Sequence, residues 1–261
     1  MTRTQKQQAV RAVQYGVILV VVVVFSFAAD WGRISTNFLN VDIALAMFPD
    51  VITIAARNTV LYTGLSFVLG LSLGLVLALM RLSQVGLYRG ISTVYIEIFR
   101  GLPALLTLFL VGFGLPLAFE WWRLAALWSG VIGLGLVAAA YMAETIRAGI
   151  QAVPKGQVEA ARSLGMSSGR ALLSIVIPQA FRIIIPPLTN EFVLLIKDTS
   201  LFFILGFTVG GKELTKFGRD LLSLNANATP LIVAGVMYLI ITIPMTQMVA
   251  WLERRQQRTV Q

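Results

Sequence analysis

Asn58-Thr-Val-Leu-Tyr-Thr-Gly-Leu-Ser-Phe-Val-Leu-Gly-Leu-Ser-Leu-Gly-Leu-Val-Leu-Ala-Leu-Met80 runs from end to end without a charged residue. Crossing a hydrocarbon layer of about 30 Å takes about 20 mostly apolar residues in a helix, because lipid offers no hydrogen-bond partner to an open backbone. The stretch meets that demand and predicts a transmembrane helix. Within it Ser66, Gly70, Gly74 and Ala78 recur every four residues, so one stripe presents almost no side chain and a second helix can approach closely. Gly135, Ala139 and Ala143 repeat the pattern further along. The stripes serve either packing within the chain or contact between subunits.

Working outward, five more segments qualify as spans: Ala12 to Ala29, Gly101 to Phe119, Leu127 to Ile146, Arg182 to Phe207 and Pro230 to Leu252. Pro103 and Pro116 shorten or bend the second of these. The expectation is an all-α membrane protein of six transmembrane helices. Composition agrees: of 261 residues 57% are apolar and 13% charged, with a mean hydropathy of +0.81, more apolar surface than one soluble domain buries. The net charge of +9 does not indicate nucleic acid, because the basic residues stand in small groups between apolar runs without aromatic interleaving. The absence of Cys and His removes disulfides, thiolate metal sites and the commonest general base.

Basic residues in short loops resist translocation and fix orientation. With the N-terminus in the cytoplasm, that side holds Arg3, Lys6, Arg11, Arg81, Arg89, Arg100, Arg147, Lys155, Arg162, Arg170, Arg182, Arg254, Arg255 and Arg258. Both termini are therefore expected inside. The first segment has two readings. Arg3, Lys6 and Arg11 before an apolar run ending in Ser26-Phe27-Ala28 fit a cleaved signal peptide. The long β-branched run from Val17 to Val24, and the even number of spans that the charge bias requires, favour a retained anchor.

The longest cytoplasmic loop is Glu144-Thr-Ile-Arg-Ala-Gly-Ile-Gln-Ala-Val-Pro-Lys-Gly-Gln-Val-Glu-Ala-Ala-Arg-Ser-Leu-Gly165, continuing to Pro178. Gln157 to Leu164 are good helix formers, Gly165 suits a left-handed terminating turn, and Ser167 or Ser168 can cap the next helix. Pro178 fits the start of the element that follows. The pattern is two short helices with a sharp elbow, projecting from the membrane.

Glu159-Ala160-Ala161, Gly165, Ile175 and Ile177-Pro178 stand at the spacing of, and resemble, the signature of the integral membrane subunits of bacterial ABC importers, with Ile177 in place of Leu as the one departure. The resemblance implies a coupling helix that docks into a cleft on a separate ATPase. Ala160 and Ala161 would permit close docking, Gly165 the elbow and Glu159 a polar anchor, with Pro154 and Gln157 at the entry. Further stretches are similar to the branch serving polar amino acids such as histidine, arginine, glutamine and glutamate: Glu97-Ile-Phe-Arg100-Gly101-Leu-Pro103, Ala143-Glu144-Thr-Ile-Arg147-Ala148-Gly149-Ile150, Val153-Pro154-Lys155-Gly156-Gln157, Pro178-Gln179-Ala180 and Leu195-Ile-Lys197-Asp198-Thr199-Ser200-Leu201. Leu102 and Thr107 stand where members of this branch more often have Thr and Gln.

The resemblance covers residues 53–253, a transmembrane domain with its coupling loop at 150–178. It leaves residues 1–52 as tail, anchor helix and external loop, and 254–261 as a cytoplasmic basic tail.

Charges at membrane depth are costly, by at least about 2.5 kcal/mol each on insertion scales, and so mark function or pairing. Asn190 and Lys197 are seven apart, as are Glu191 and Asp198, which sets them along one helical side. With Thr199 and Ser200 they either line a substrate path or form ion pairs that fix packing. Glu97 with Arg100, and Glu144 with Arg147, are three apart and read as structural ion pairs, with substrate contact as the alternative. Pro186-Pro187 predicts a kink.

A phosphate-cradling loop needs Gly, four residues, Gly-Lys and then Ser or Thr. Gly206 to Lys212 nearly fits, but Glu213 replaces the hydroxyl. The resemblance therefore implies a transport subunit that binds no cofactor itself. Its partners would be an ABC ATPase dimer carrying ATP and Mg, a second permease subunit, an extracytoplasmic amino acid binding protein and the lipid bilayer. An ion-coupled secondary transporter of small polar solutes is the alternative; it predicts an inverted repeat and leaves the Gly165 loop unexplained.

Overall fold

The computed structural model describes residues 3–260, with side chains from Gln7 to Arg255 apart from Ala9, Val10 and Ala12. Of the terminal basic groups, the Arg3, Lys6 and Arg258 side chains lie outside that range, as do Met1, Thr2 and Gln261 entirely. Every element among the described residues is helical. In chain order they are α1 (Arg3–Ala28), α2 (Trp31–Phe38), α3 (Val41–Ala46), α4 (Val51–Leu82), α5 (Gly86–Gly101), α6 (Ala104–Ala118), α7 (Ala126–Gln151), α8 (Lys155–Ser163), α9 (Ser168–Ile204), α10 (Leu214–Asn225) and α11 (Thr229–Val260).

Four of these, α4, α7, α9 and α11, are long and apolar enough to cross a membrane. Two bent pairs, Val13–Ala28 with Trp31–Ala46 at 76° and Gly86–Gly101 with Ala104–Ala118 at 105°, raise the number to six if each pair is one span. The expected span from Gly101 to Phe119 is thus only the second half of a broken element. Leu102 is extended at φ −89°, ψ 141°, as residues before proline are driven to be, and Pro103 has no N–H to continue α5. α6 alone is about 22 Å long at 1.5 Å per residue, short of the hydrocarbon thickness. Pro116 is accommodated because the wide turn Leu110–Gly114 precedes it.

The small-residue stripes meet each other. A Cβ on Gly70 would stand 2.8 Å from Ala138 Cβ, and one on Gly74 would stand 3.0 Å from Ala139 O, so α4 and α7 lie backbone against backbone inside one chain. The other glycines of α7 receive side chains from different helices: Leu108 of α6 at Gly133, and Phe202 and Ile184 of α9 at Gly130 and Gly149. α7 is the central helix, with 67% of its apolar window buried against 11% for α11. The outer helices keep an apolar face turned away from the bundle, as a lipid solvent requires.

These contacts also set direction. Gly70 and Gly74 of α4 meet successively later residues of α7, so those two run parallel, while α6 and α9 run antiparallel to α7. The ends of α4 and α7, all of α8 and the start of α9 therefore share one end of the bundle, bearing Arg81, Arg147, Lys155, Arg162 and Arg170. At the opposite end α2 and α3 tie to the start of α11: Ala228 N donates to Asn37 O at 2.8 Å, Asn227 Nδ2 to Thr36 O at 2.8 Å, and Asn40 N to Thr229 Oγ1 at 3.0 Å. α1 stands apart, with every side chain from Val13 to Ala28 exposed.

Candidate functional site: the Gly165 elbow and the charged face of α9

The elbow forms where the sequence places it. α8 ends at Ser163, and Gly165 takes φ +87°. Met166 N donates to Ala161 O at 3.1 Å and Gly165 N to Arg162 O at 3.0 Å, a Schellman-type closure that satisfies the last carbonyls and needs a residue without a Cβ penalty at positive φ. Ser167, not Ser168, caps the next helix by accepting from Arg170 N at 3.4 Å. Ala161 is buried against the bundle, whereas Pro154, Gln157, Glu159 and Ala160 face outward. Gln157 accepts from Gln179 Nε2, which clips α8 to α9. Leu164, 86% exposed at the tip, is an apolar knob that sequence reasoning passed over and that nothing among the described residues covers.

The second expected short helix is not separate. From Ser168 the chain runs continuously to Ile204, with a wide turn at Leu172–Val176 directly before Pro178. That turn gives the proline ring room and absorbs its missing donor, and Pro178 stands in the first turn of the regular α-helix that begins at Ile177, as expected, although the helical run is continuous from Ser168. Pro186 and Pro187 are likewise inside the helical run. Further along, Asn190 and Lys197 are exposed, Glu191, Asp198 and Ser200 are half-buried and Thr199 is buried. Lys197 lies within electrostatic reach of Asp198, but among the described residues it closes no ion pair within 4.0 Å. α9 thus presents an uncompensated polar face.

The two expected ion pairs divide. Glu144 and Arg147 do pair on α7, with Arg147 Nε donating to Glu144 Oε2 at 3.2 Å. Glu97 and Arg100 do not. Glu97 approaches Arg81 of α4 at 4.0 Å, and the Arg100 guanidinium lies 5.6 Å from the Tyr141 ring centroid. The break after Gly101 turns Arg100 toward α7, so a three-residue spacing on α5 does not bring the two together.

A further polar cluster, at the end opposite the elbow, escaped the sequence. Glu213 is fully buried and caps α10, accepting from Lys216 N at 2.6 Å and from Thr215 N, while Tyr238 donates its hydroxyl at 3.1 Å. Burial pushes its carboxyl up to about 7, against the hydrogen bonds that favour the charged form. Lys212 reaches Asp220 at 2.6 Å and Lys216 reaches it at 2.8 Å. Burial opposes the Asp220 charge, but the two lysines outweigh it and hold that carboxyl below its usual range. The near-match to a phosphate loop is therefore something else: Lys212 is engaged, and the Gly210, Gly211 and Lys212 carbonyls accept from Asn58 and Tyr62.

Residues 70–258 match the family described as binding-protein-dependent transport system inner membrane component. The chain belongs to this family. As an inner membrane component it is a multi-pass integral protein, and its all-helical bundle is the ABC permease fold. Among curated relatives, the chain is 40% identical to the arginine transport system permease protein ArgU of Corynebacterium glutamicum over 75% of its own length and 65% of the relative's, and so spans just under two thirds of that protein. It is 39% identical to the probable glutamine ABC transporter permease protein GlnM of Bacillus subtilis, over 74% of this chain and 86% of the relative. A solved structure described as an amino acid ABC transporter with histidines superposes with a TM-score of 0.74 at 34% identity, covering 81% of this chain and 96% of that one. The family match begins inside α4, so α1 to α3 lie ahead of it.

Proposed function

We propose that this chain is the membrane-spanning permease subunit of an ATP-binding cassette importer that carries polar amino acids across the inner membrane. The observation that carries the reading is the Gly165 elbow, a left-handed turn that holds Glu159, Ala160 and Leu164 outward at the basic end of the bundle, clear of every span. An exposed leucine beside small and charged residues suits docking into a cleft on a partner. The names of the relatives supply the substrate class, and lend no support to the ion-coupled alternative.

In this reading each bent pair counts as one span, giving six, and the basic end of the bundle is cytoplasmic together with both termini. The loop 150–178 carries the coupling helix α8. ATP and Mg reside on an ATPase dimer, hydrolysis occurs there, and this chain binds no cofactor. A second permease subunit, identical or related, completes a two-fold pathway, and an external binding protein delivers substrate. Because Ser168 to Ile204 is one continuous helix, a push on α8 travels along α9 to Glu191, Lys197, Asp198, Thr199 and Ser200. Those residues then serve as the polar lining of the path, while Glu144 with Arg147 holds α7 in place.

The test is reconstitution. The chain is purified with its ATPase, placed in vesicles with ATP inside the cytoplasmic compartment, and assayed for uptake across a panel of amino acids. Uptake that requires ATP and the ATPase supports the reading. Uptake by this chain alone, driven by a proton gradient, overturns it.

A further inference from the structure

Glu213 and Tyr238 have no part in the importer reading, yet they sit where α4, α9, α10 and α11 meet, at the end opposite the elbow. Glu213 stands just before α10 and is fully buried. Its Oε1 accepts from Lys216 N, and its Oε2 accepts from Thr215 N and from the Tyr238 hydroxyl of α11 at 3.1 Å. Leu214 N donates to Thr59 Oγ1 of α4 at 3.2 Å, which ties the same corner to the central helix pair. Tyr238 Oη accepts from Thr215 Oγ1 at 3.2 Å, and Thr199 of α9 also lies within hydrogen-bonding reach of it. Thr199 already gives its own proton to Ile196 O at 2.6 Å, so toward Tyr238 it serves as an acceptor. Tyr238 thus has one proton and two acceptors competing for it, Glu213 on one side and Thr199 on the other. The other charged and titratable groups around the corner are engaged or turned away. Lys212 and Lys216 close on Asp220, and Arg219 lies over the Phe203 ring at 4.7 Å. On α4, Tyr62 is within electrostatic reach of Glu213 but donates its hydroxyl to Gly211 O at 2.8 Å, and Asp50 and Arg57 are exposed. On α9, Lys197 and Asp198 immediately precede Thr199.

We propose that Tyr238 is a positioning residue whose hydroxyl proton switches between Glu213 and Thr199, so that a proton on Glu213 fastens the end of α9 where Asp198 stands. With the carboxyl ionised, Tyr238 donates to it and Thr199 receives nothing from α11. When Glu213 takes up a proton from water, its O–H donates to Tyr238 Oη, which keeps its bond from Thr215. The Tyr238 O–H then turns to Thr199 Oγ1, and every donor in the chain again has an acceptor. Burial brings the Glu213 carboxyl to about 7, so both arrangements are populated across ordinary pH. The switch needs only these hydrogen bonds. Its effect on uptake rests on the importer reading, in which Asp198 lines the path.

The test is an infrared pH titration of the full chain in detergent, read at the protonated-carboxyl band that Glu213→Gln abolishes. Thr199→Val leaves the bonds of Glu213 itself alone and removes the acceptor for the displaced Tyr238 proton. It should lower the Glu213 midpoint by about 0.5 to 1 in pH, the size of one hydrogen bond. Thr199→Ser keeps the acceptor and should restore the wild-type midpoint. In a Tyr238→Phe background, Thr199→Val should move nothing further. A midpoint that ignores Thr199→Val, or that falls equally with and without the tyrosine, overturns the switch. In vesicles with the ATPase, taking the amino acid that the uptake panel ranks first, the wild-type apparent KM should rise severalfold as pH passes through about 7 while the maximal rate holds. Tyr238→Phe should show one KM at both ends of the range; a pH dependence that survives in it overturns the link to α9. Absence of ATP-driven uptake at every pH would sink the importer reading instead, and the infrared midpoints would still decide the switch.

Discussion

Gly74 of α4 faces Ala139 of α7 so closely that a Cβ on the glycine would stand 3.0 Å from the Ala139 carbonyl oxygen. That oxygen belongs to a helix backbone and cannot turn away. Met142 Cβ, also at 3.0 Å, closes the other side. Gly74→Ala therefore forces the central helix pair apart, at about 1–3 kcal/mol as overpacking in a tight core generally costs. Gly64 lies on the same helix with nothing within 4 Å, and Gly64→Ala there gains up to about 1 kcal/mol from helix propensity. Thermal unfolding of the two variants in one detergent should move in opposite directions. Equal shifts would mean that α4 and α7 are not in this register.

Gly165 is held at φ +87°, where a β-branched residue is strained by about 1–2 kcal/mol. No neighbour crowds the position, so the strain comes from the backbone alone. Gly165→Val opens the Schellman closure and swings Leu164 and Glu159 out of register with a docked partner. Gly165→Asn tolerates the left-handed region and should restore function in part. ATP-driven uptake should fall in the order Gly, Asn, Val, with membrane insertion equal in all three. Full uptake by the valine variant would remove the coupling role from this loop.

What the sequence revealed and what it concealed follow from the range of the forces involved. Apolar runs declare spans because lipid leaves the backbone no alternative, and Gly165 declared the elbow because positive φ is a property of one residue. The stripe from Ser66 to Ala78 announced a close helix contact, though not that Gly135, Ala139 and Ala143 were its partner. α5 stayed hidden because Arg89, Glu97 and Arg100 dilute its hydropathy, and α10 because it is short and polar on one face. The three-residue rule paired Glu97 with Arg100, whereas Arg81 comes from another helix and no spacing could name it. Glu213 stood out only as the wrong residue in a phosphate loop. Its burial depends on Tyr238, which lies on a different helix.

Lys197 and Asp198 on α9 differ from the Glu144 and Arg147 pair in having no ion-pair partner among the described residues. If they contact a zwitterionic substrate, each charge-assisted hydrogen bond contributes about 1.5–3 kcal/mol, so Asp198→Asn lowers apparent affinity by roughly tenfold or more. Lys197→Gln should change the ranking of amino acids in the same uptake panel. A role in packing alone gives a different signature: a lower melting temperature and an unaltered ranking. Measuring both quantities on the same preparations separates the two.

Glu213 makes the structure sensitive to pH at the end opposite the elbow. Its carboxyl ionises near 7 when folded, against 4.5 for an ordinary glutamate, so between those values the folded chain holds a proton that the unfolded chain has released. Stability is then fully present below about pH 4.5, declines as pH rises through 7 and levels off above. With the ionisation moved from 4.5 to about 7, the full decline is at most about 3.4 kcal/mol. Asp220 has the opposite sign, since its carboxyl is lowered by Lys212 and Lys216; its contribution is lost only as pH falls through the acid range, so the two do not overlap near neutrality. Glu213→Gln carries no charge and keeps one oxygen, enough for one of the Thr215 and Lys216 amides, which donate to separate oxygens of the carboxylate. Melting temperature against pH from 5 to 8 should therefore fall in the wild type and stay flat in the variant. A decline that persists in Glu213→Gln would assign the pH dependence to another group, because once Glu213 cannot ionise, the N-terminus of α10 is capped identically at both ends of the range.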